Sequence, residues 1–295
     1  MSGLLFSTHL GDQMTLMALK SAAAGAVALA FGGAPLGVLM IARRLSLMGD
    51  ALSHGILPGV AIAFIFAGRD PVALTVGALT AGLIVAGLSS LLARTGKLPD
   101  DAAFAIFYLS ALALGVLLLG KMGKADEMEA LLFGSTQALD ASGLVLAGAA
   151  ASATLIGLAL FLRGVLGEGA DPVFMRTLGA RFGLSHLLLM LLLALNLVAG
   201  FRAFGALMTV ALMTIPAAAA RFWAKGYGGQ AAWAVALSAV SGLIGLFLAA
   251  LWGAEPGALM TVCAALLFGV SALVGTNGGL LQTRLAKTHL RGLKA

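Results

Sequence analysis

The sequence predicts an all-α protein: a polytopic bundle of eight or nine transmembrane helices, N-terminus outside and C-terminus in the cytoplasm. Three observations predict it. Hydrophobic residues make up 61% of the chain and charged ones 10%, with a mean hydropathy of +1.05. A soluble domain carries about 25% charged residues, so this composition cannot build a water-facing shell. The apolar stretches are near the ~20 residues that cross a ~30 Å hydrocarbon core, and short polar breaks separate them. The basic residues gather on one side of those stretches, as they do in membrane proteins.

Nine spans are expected. The first, 21–42, carries Gly33-x-x-x-Gly37, a spacing that lets membrane helices approach closely, and ends at Arg43-Arg44. The second, 46–67, contains two ionisable groups and Pro58. The third is 72–93. The fourth, 102–120, follows Pro99-Asp100-Asp101, where negative charge suits a helix N-terminus. The fifth, 143–162, follows a loop at 121–142. The sixth and seventh, 184–200 and 204–220, are divided only by Phe201-Arg202-Ala203, the weakest boundary in the chain. The last two are 230–252 and 257–276. Spans two and six read equally as tilted, broken or re-entrant segments.

With the N-terminus outside, 13 of the 18 basic residues fall in cytoplasmic segments, among them Arg43, Arg44, Arg163 and Arg221. The other five, Lys20, Arg69, Lys121, Lys124 and Arg202, are external. The net charge of +6 therefore marks the cytoplasmic side and not a nucleic-acid partner. The first 20 residues hold no basic region ahead of an apolar core, so no cleavable signal peptide is expected. Cys263 is the single cysteine, which excludes an internal disulfide framework. Residues 1–295 read as one transmembrane domain.

Two loops stand out. The external loop 121–142 includes an apolar LLFG patch suited to the membrane interface or to a partner. The cytoplasmic loop, about 163–183, reads RGVLGEGADPVFMRTLGARFG. Within it Asp171 suits a helix cap and Pro172 the first turn of a short helix reaching Leu178, with Arg176, Gly179 and Arg181 alongside. Such a loop is either plain surface or the place where an energy-supplying subunit presses. GALMTV occurs at 205–210 and again at 257–262, consistent with similar packing of two parallel helices, whereas the repeated ALLFG reads as chance. Gly115-x-x-x-x-Gly120-Lys121 mimics a phosphate-binding loop, but Met122 stands where Ser or Thr is needed and the stretch ends an apolar helix. No nucleotide site is visible, so ATP-driven work would need another polypeptide.

The candidate site lies in the second span, where Arg43 to Phe64 reads RRLSLMGDALSHGILPGVAIAF. Asp50 and His54 are four residues apart and share one helix face. Ionisable groups at membrane depth are costly, which makes them functional candidates by default. His54 lies ten residues beyond Arg44, about 15 Å, close to the midplane of the core. A carboxylate with an imidazole suits a borderline divalent ion such as Zn2+ or Mn2+, and two ligands would bind it reversibly. A buried Asp–His hydrogen bond locking two helices is the other reading. Asn196, Thr209, Thr214 and Ser110 read as interhelical packing contacts. His9, His186 and His289 lie in the external tail or at the cytoplasmic ends, and Met208, Met213 and Met260 read as core.

Several stretches together resemble one family, the integral-membrane permeases of zinc/manganese/iron ABC importers. APLGVLMIARRLSLMGDALSHGILPGVAIAF (34–64), DDAAFAIFYLSALALG (100–115), EALLFGS (129–135), DPVFMRTLGAR (171–181), FGALMTVALMTIPAAAARF (204–222) and PGALMTVCAALLFGVS (256–271) follow its signatures in order along nearly the whole chain. Ala105 stands where the family usually has glycine. RRLSLMGD looks like zinc-type members, whereas SHGILPG and the GTNGGLL tail (275–281) look like manganese/iron-type ones.

The resemblance implies a membrane permease subunit of a binding-protein-dependent importer of a divalent transition metal, in the cell membrane (the inner membrane of a Gram-negative source). It implies metal contact at Asp50 and His54, and ATPase coupling through Asp171, Pro172, Arg176, Gly179 and Arg181. A second permease copy, a cytoplasmic ATPase dimer, an external metal-binding protein and membrane lipid would be the partners. The chain would be no enzyme and would hold no permanent cofactor. Zinc is the first expectation because imidazole is a stronger ligand for the later metal, with manganese or iron as the alternative. An ion-coupled secondary transporter would need further midmembrane carboxylates beyond Asp50. An intramembrane hydrolase would need a nucleophile or a metal-ligand triad that does not accompany the pair.

Overall fold

A computed structural model describes residues 2–45, 48–68, 70–93, 100–121, 141–177 and 184–282, which form eleven α-helices. In chain order these are α1 (Ser2–Ala42), α2 (Met48–Gly55), α3 (Leu57–Ala67), α4 (Pro71–Ala93), α5 (Asp100–Lys121), α6 (Ala141–Ala170), α7 (Pro172–Thr177), α8 (Leu184–Phe204), α9 (Ala206–Ala220), α10 (Tyr227–Trp252) and α11 (Pro256–Val274). Each expected span is occupied by helix. Among the described residues seven segments are long and apolar enough to cross a membrane, and two shorter apolar helices, Ala102–Leu118 and Met208–Ala220, fill the remaining positions. The 15 residues of α9 reach about 22 Å at 1.5 Å per residue, short of a full ~30 Å core.

The second span is broken at Ile56. Pro58 has no N–H, so the carbonyl of His54 loses the donor a continuous helix would supply. The bonds Ile56 N to Leu52 O and Val60 N to Ile56 O, both 3.2 Å, carry the backbone through the bend. A sharper reversal separates α8 from α9. Gly205 alone lies between them with φ 90°, a conformation that a side chain disfavours. Asn196, nine residues before it, and Met213, eight after, line one small cavity, so the two helices fold back on each other.

The core is built around α1, which packs on α6, α8, α9 and α10. Gly33 and Gly37 both face Met213 of α9, and a Cβ on Gly37 would lie 1.9 Å from the Met213 carbonyl oxygen. The Gly-x-x-x-Gly spacing thus marks a real helix contact. Gly59 of α3 and Gly77 of α4 likewise abut, each leaving no room for a Cβ against the other's carbonyl. Ala26 packs with Met208 and Leu212, while Ala34 and Val38 pack with Ala217 and Ala220, so α1 and α9 run in the same direction.

The repeated GALMTV opens two parallel helices. Gly257 at the start of α11 sits against Phe204 and Met208, and Gly275 at its end sits against Phe222. In both copies the threonine hydroxyl donates to the glycine carbonyl four residues back, Thr209 to Gly205 at 2.7 Å and Thr261 to Gly257 at 2.9 Å. Met208 and Met260 are buried, as expected. Of the polar residues expected to bridge helices, Asn196 does so, donating to the Thr154 hydroxyl of α6 at 2.6 Å. Thr209, Thr214 and Ser110 instead donate to carbonyls of their own helices. A short polar side chain satisfies itself locally when the preceding turn offers an oxygen. Ile84, Leu117, Leu160, Phe247 and Leu251 stay exposed on the outside, as a lipid-facing surface requires.

Candidate functional site

The segment carrying Asp50 and His54 is positioned from both ends. At its start, α1 closes through Leu45 N to Met40 O at 2.8 Å and Arg44 N to Ile41 O at 3.2 Å, with Arg44 left-handed at φ 61°. This is a Schellman closure in which arginine occupies the position usually given to glycine. At its far end lies the Pro58 break. Between them, Met48, Gly49, Ala51, Leu52, Ser53 and Gly55 are buried. Gly49 admits the methyl ends of Met40 and Met213, and Gly55 lies against Val85 and Tyr108. The Ser53 hydroxyl turns back to donate to the Asp50 carbonyl at 2.5 Å.

That packing leaves Asp50 and His54 on the face that α2 does not bury. Their side chains are 67% and 33% exposed, and Asp50 Oδ1 lies 3.9 Å from His54 Nε2. Such a gap is too wide for the buried hydrogen bond that would lock two helices. It is close to the roughly 3.3 Å that separates N and O donors across a tetrahedral divalent ion, given bonds of about 2.05 Å. His54 Nδ1 is enclosed without a hydrogen-bond partner, which leaves Nε2 as the outward nitrogen beside the carboxylate. Among the described residues no group of three or more His, Cys, Asp or Glu assembles. One chain therefore offers two ligands here, not a closed metal cage.

The second candidate region hangs from the end of α6. Asp171 caps α7 as expected, its Oδ1 accepting the Phe174 N–H at 2.9 Å, and Pro172 opens the helix. The helix is described from Pro172 to Thr177, and Met175 packs back onto Gly167 of α6. Phe174 is exposed. Arg176 belongs to α7, while Gly179 and Arg181 lie outside the described residues. The LLFG patch lies outside them as well.

The residue that sequence reasoning missed is Arg43. Its guanidinium donates to the Val165 carbonyl near the end of α6 and lies along Gly169. Burial lowers its pKa from the ordinary value, and nearby Glu168 acts in the opposite direction. An arginine stays charged under either influence. This side chain joins the turn before α2 to the base from which α7 hangs. The signal was present in the Arg43-Arg44 pair, which on charge alone reads only as a marker of membrane side.

A chain built of apolar helices around a partly exposed acid–imidazole pair is a multi-pass cell-membrane protein of the transport permease class. It belongs to the ABC 3 transport family, whose model matches residues 15–275. Members of this class are membrane subunits and not enzymes, and ATP is hydrolysed on a separate subunit. The manganese import system permease protein ScaB of Streptococcus parasanguinis is 30% identical, covering 87% of this chain and 90% of its own. The high-affinity zinc uptake system membrane protein ZnuB of Haemophilus influenzae is also 30% identical, over 81% and 90%. The solved structure of PsaBC from Streptococcus pneumoniae in complex with Fab superposes with a TM-score of 0.79. It is 26% identical and covers 95% of this chain and 99% of that one.

Proposed function

We propose that this permease carries a divalent transition metal, with zinc as the first reading, and that Asp50 and His54 line the path. The observation that carries the proposal is the exposed Asp50–His54 pair at near-chelating distance on a helix otherwise buried. Two such ligands hold an ion loosely enough to release it, which conduction demands. A second copy presenting the same face would bring the ligand set to four, the number a tetrahedral ion takes. The metal named in the relatives supports the cargo class. Imidazole favours the later metal, which supports zinc. The second reading is manganese, favoured by the more frequent manganese names among the relatives.

In this reading residues 1–295 act as one transmembrane domain with the N-terminus outside. The ATPase presses on Asp171, Pro172, Arg176, Gly179 and Arg181, and an external binding protein delivers the ion. The whole assembly, reconstituted in vesicles with its ATPase and binding protein, should accumulate zinc only when ATP is supplied. Accumulation of manganese without zinc moves the cargo to the second reading. Uptake that continues without ATP overturns the importer reading in favour of ion-coupled transport.

A further inference from the structure

We propose that the connector between α9 and α10, together with the segment after α11, forms a binding site for the phosphate headgroup of an anionic phospholipid. An open pocket of about 440 Å³ lies there, lined by Arg221, Lys225, Gln230, Thr276, Asn277 and neighbouring backbone. It contains no carboxylate, and neither cation has an ion-pair partner among the described residues. Two basic side chains thus face hydroxyl, amide and backbone groups, with no acidic side chain among the described lining residues.

The pocket is built, not incidental. Asn277 N donates to the Phe222 carbonyl at 2.8 Å, tying the two segments together across the mouth. The Gln230 amide donates to the carbonyls of Ala224 at 3.0 Å and Lys225 at 3.3 Å, which fixes the connector that bears both cations. Phe222 also meets Phe268 of α11 edge to face.

Three features select a lipid over a free phosphate. Trp223, which lies between Arg221 and Lys225 in sequence, stacks on Trp233 with ring centroids 4.8 Å apart, and tryptophan concentrates at headgroup depth. Leu273, Val274, Leu280 and Leu281, on either side of the polar Thr276–Gly278 turn, are exposed apolar side chains able to meet an acyl chain. The pocket also lies at the end of the bundle where α1 and α9 finish, the end that carries Arg43 and Arg44. Basic pockets between membrane helices on such a side bind anionic headgroups.

The test uses the permease–ATPase complex in nanodiscs and the fluorescence of its own tryptophans. Brominated phosphatidylglycerol should quench that emission at much lower mole fraction than brominated phosphatidylcholine. Each surface cation raises attraction to an anionic leaflet about fivefold, so Arg221→Gln with Lys225→Gln should lower the preference by about 30-fold. Arg221→Lys with Lys225→Arg should keep it. Equal quenching of the wild-type complex by the two lipids overturns the proposal without any variant. So does a preference that survives the double glutamine change in a complex that assembles normally. Loss of the preference in excess inorganic phosphate, with the phosphate itself shifting the emission, reassigns the pocket to a free anion.

Discussion

Asp50 and His54 are separated by one helical turn, yet they differ in what the fold does with them. The carboxylate stands mostly open, whereas the imidazole is half enclosed with one nitrogen sealed in. The acid is thus the more accessible of the two groups and the histidine the more enclosed. Asp50→Ala and His54→Ala should each reduce metal uptake at least tenfold, since a two-ligand grip becomes a single contact. Expression and assembly with the ATPase should hold, because Asp50 stands mostly exposed and His54 makes no hydrogen bond through its enclosed Nδ1. Uptake assays paired with size-exclusion profiles check both halves of the statement, and normal uptake in both variants removes the pair from the path. The pair was legible in the sequence because charge inside an apolar run is conspicuous. Arg43 was not, because its partner is a backbone carbonyl 122 residues away and carbonyls leave no trace in residue identity.

At the scale of the helix, the spans could be read from hydropathy, while their interruptions needed local chemistry. A broken second span was one of three expected readings, which Pro58 realises at Ile56, and the divider between α8 and α9 was expected at Phe201-Arg202-Ala203. The helix in fact continues to Phe204 and turns on Gly205, the first residue free to take a positive φ. Close helix contacts are sharper still in their demands. Gly59→Ala would place a Cβ 1.9 Å from the Gly77 carbonyl oxygen, so it should cost roughly 1–3 kcal/mol of stability. Gly87→Ala, on the same α4 with open space around it, should be neutral or mildly stabilising. Thermal unfolding in one detergent compares the two directly. For α7, charge reversal at Arg176 together with Gly179→Pro should leave ATP hydrolysis running while transport falls. A cysteine at exposed Phe174 should cross-link to the ATPase, and complete failure of such cross-links removes α7 from the docking surface.

The whole molecule has two ends that the helix contacts keep apart. Arg202 donates to the Ser142 hydroxyl at 3.0 Å at one end, whereas Arg43 meets Val165 at the other. The proposed orientation makes the first end external. Cys263 is buried, so introduced cysteines can report with little background. Ala254→Cys should react with a membrane-impermeant maleimide in intact cells, and Gly228→Cys only after permeabilisation; the opposite pattern inverts the topology. The proposed orientation rests on the distribution of lysine and arginine in the sequence, where the pocket formed by Arg221, Lys225 and Asn277 was hidden. It joins residues some 50 positions apart in sequence.

The open face of α2 has a further consequence for the life of a newly made chain. Met48–Ala67 is apolar enough to insert as a span, yet it brings a carboxylate that the described residues leave 67% exposed. Each such group near the middle of a bilayer costs about 2.5–3.5 kcal/mol on insertion scales. A subunit left alone after synthesis bears that penalty until water or another subunit reaches the face. Orphan copies are therefore the ones a membrane protease or chaperone should find first, and the acid proposed to line the path would also label a permease that has not yet been assembled.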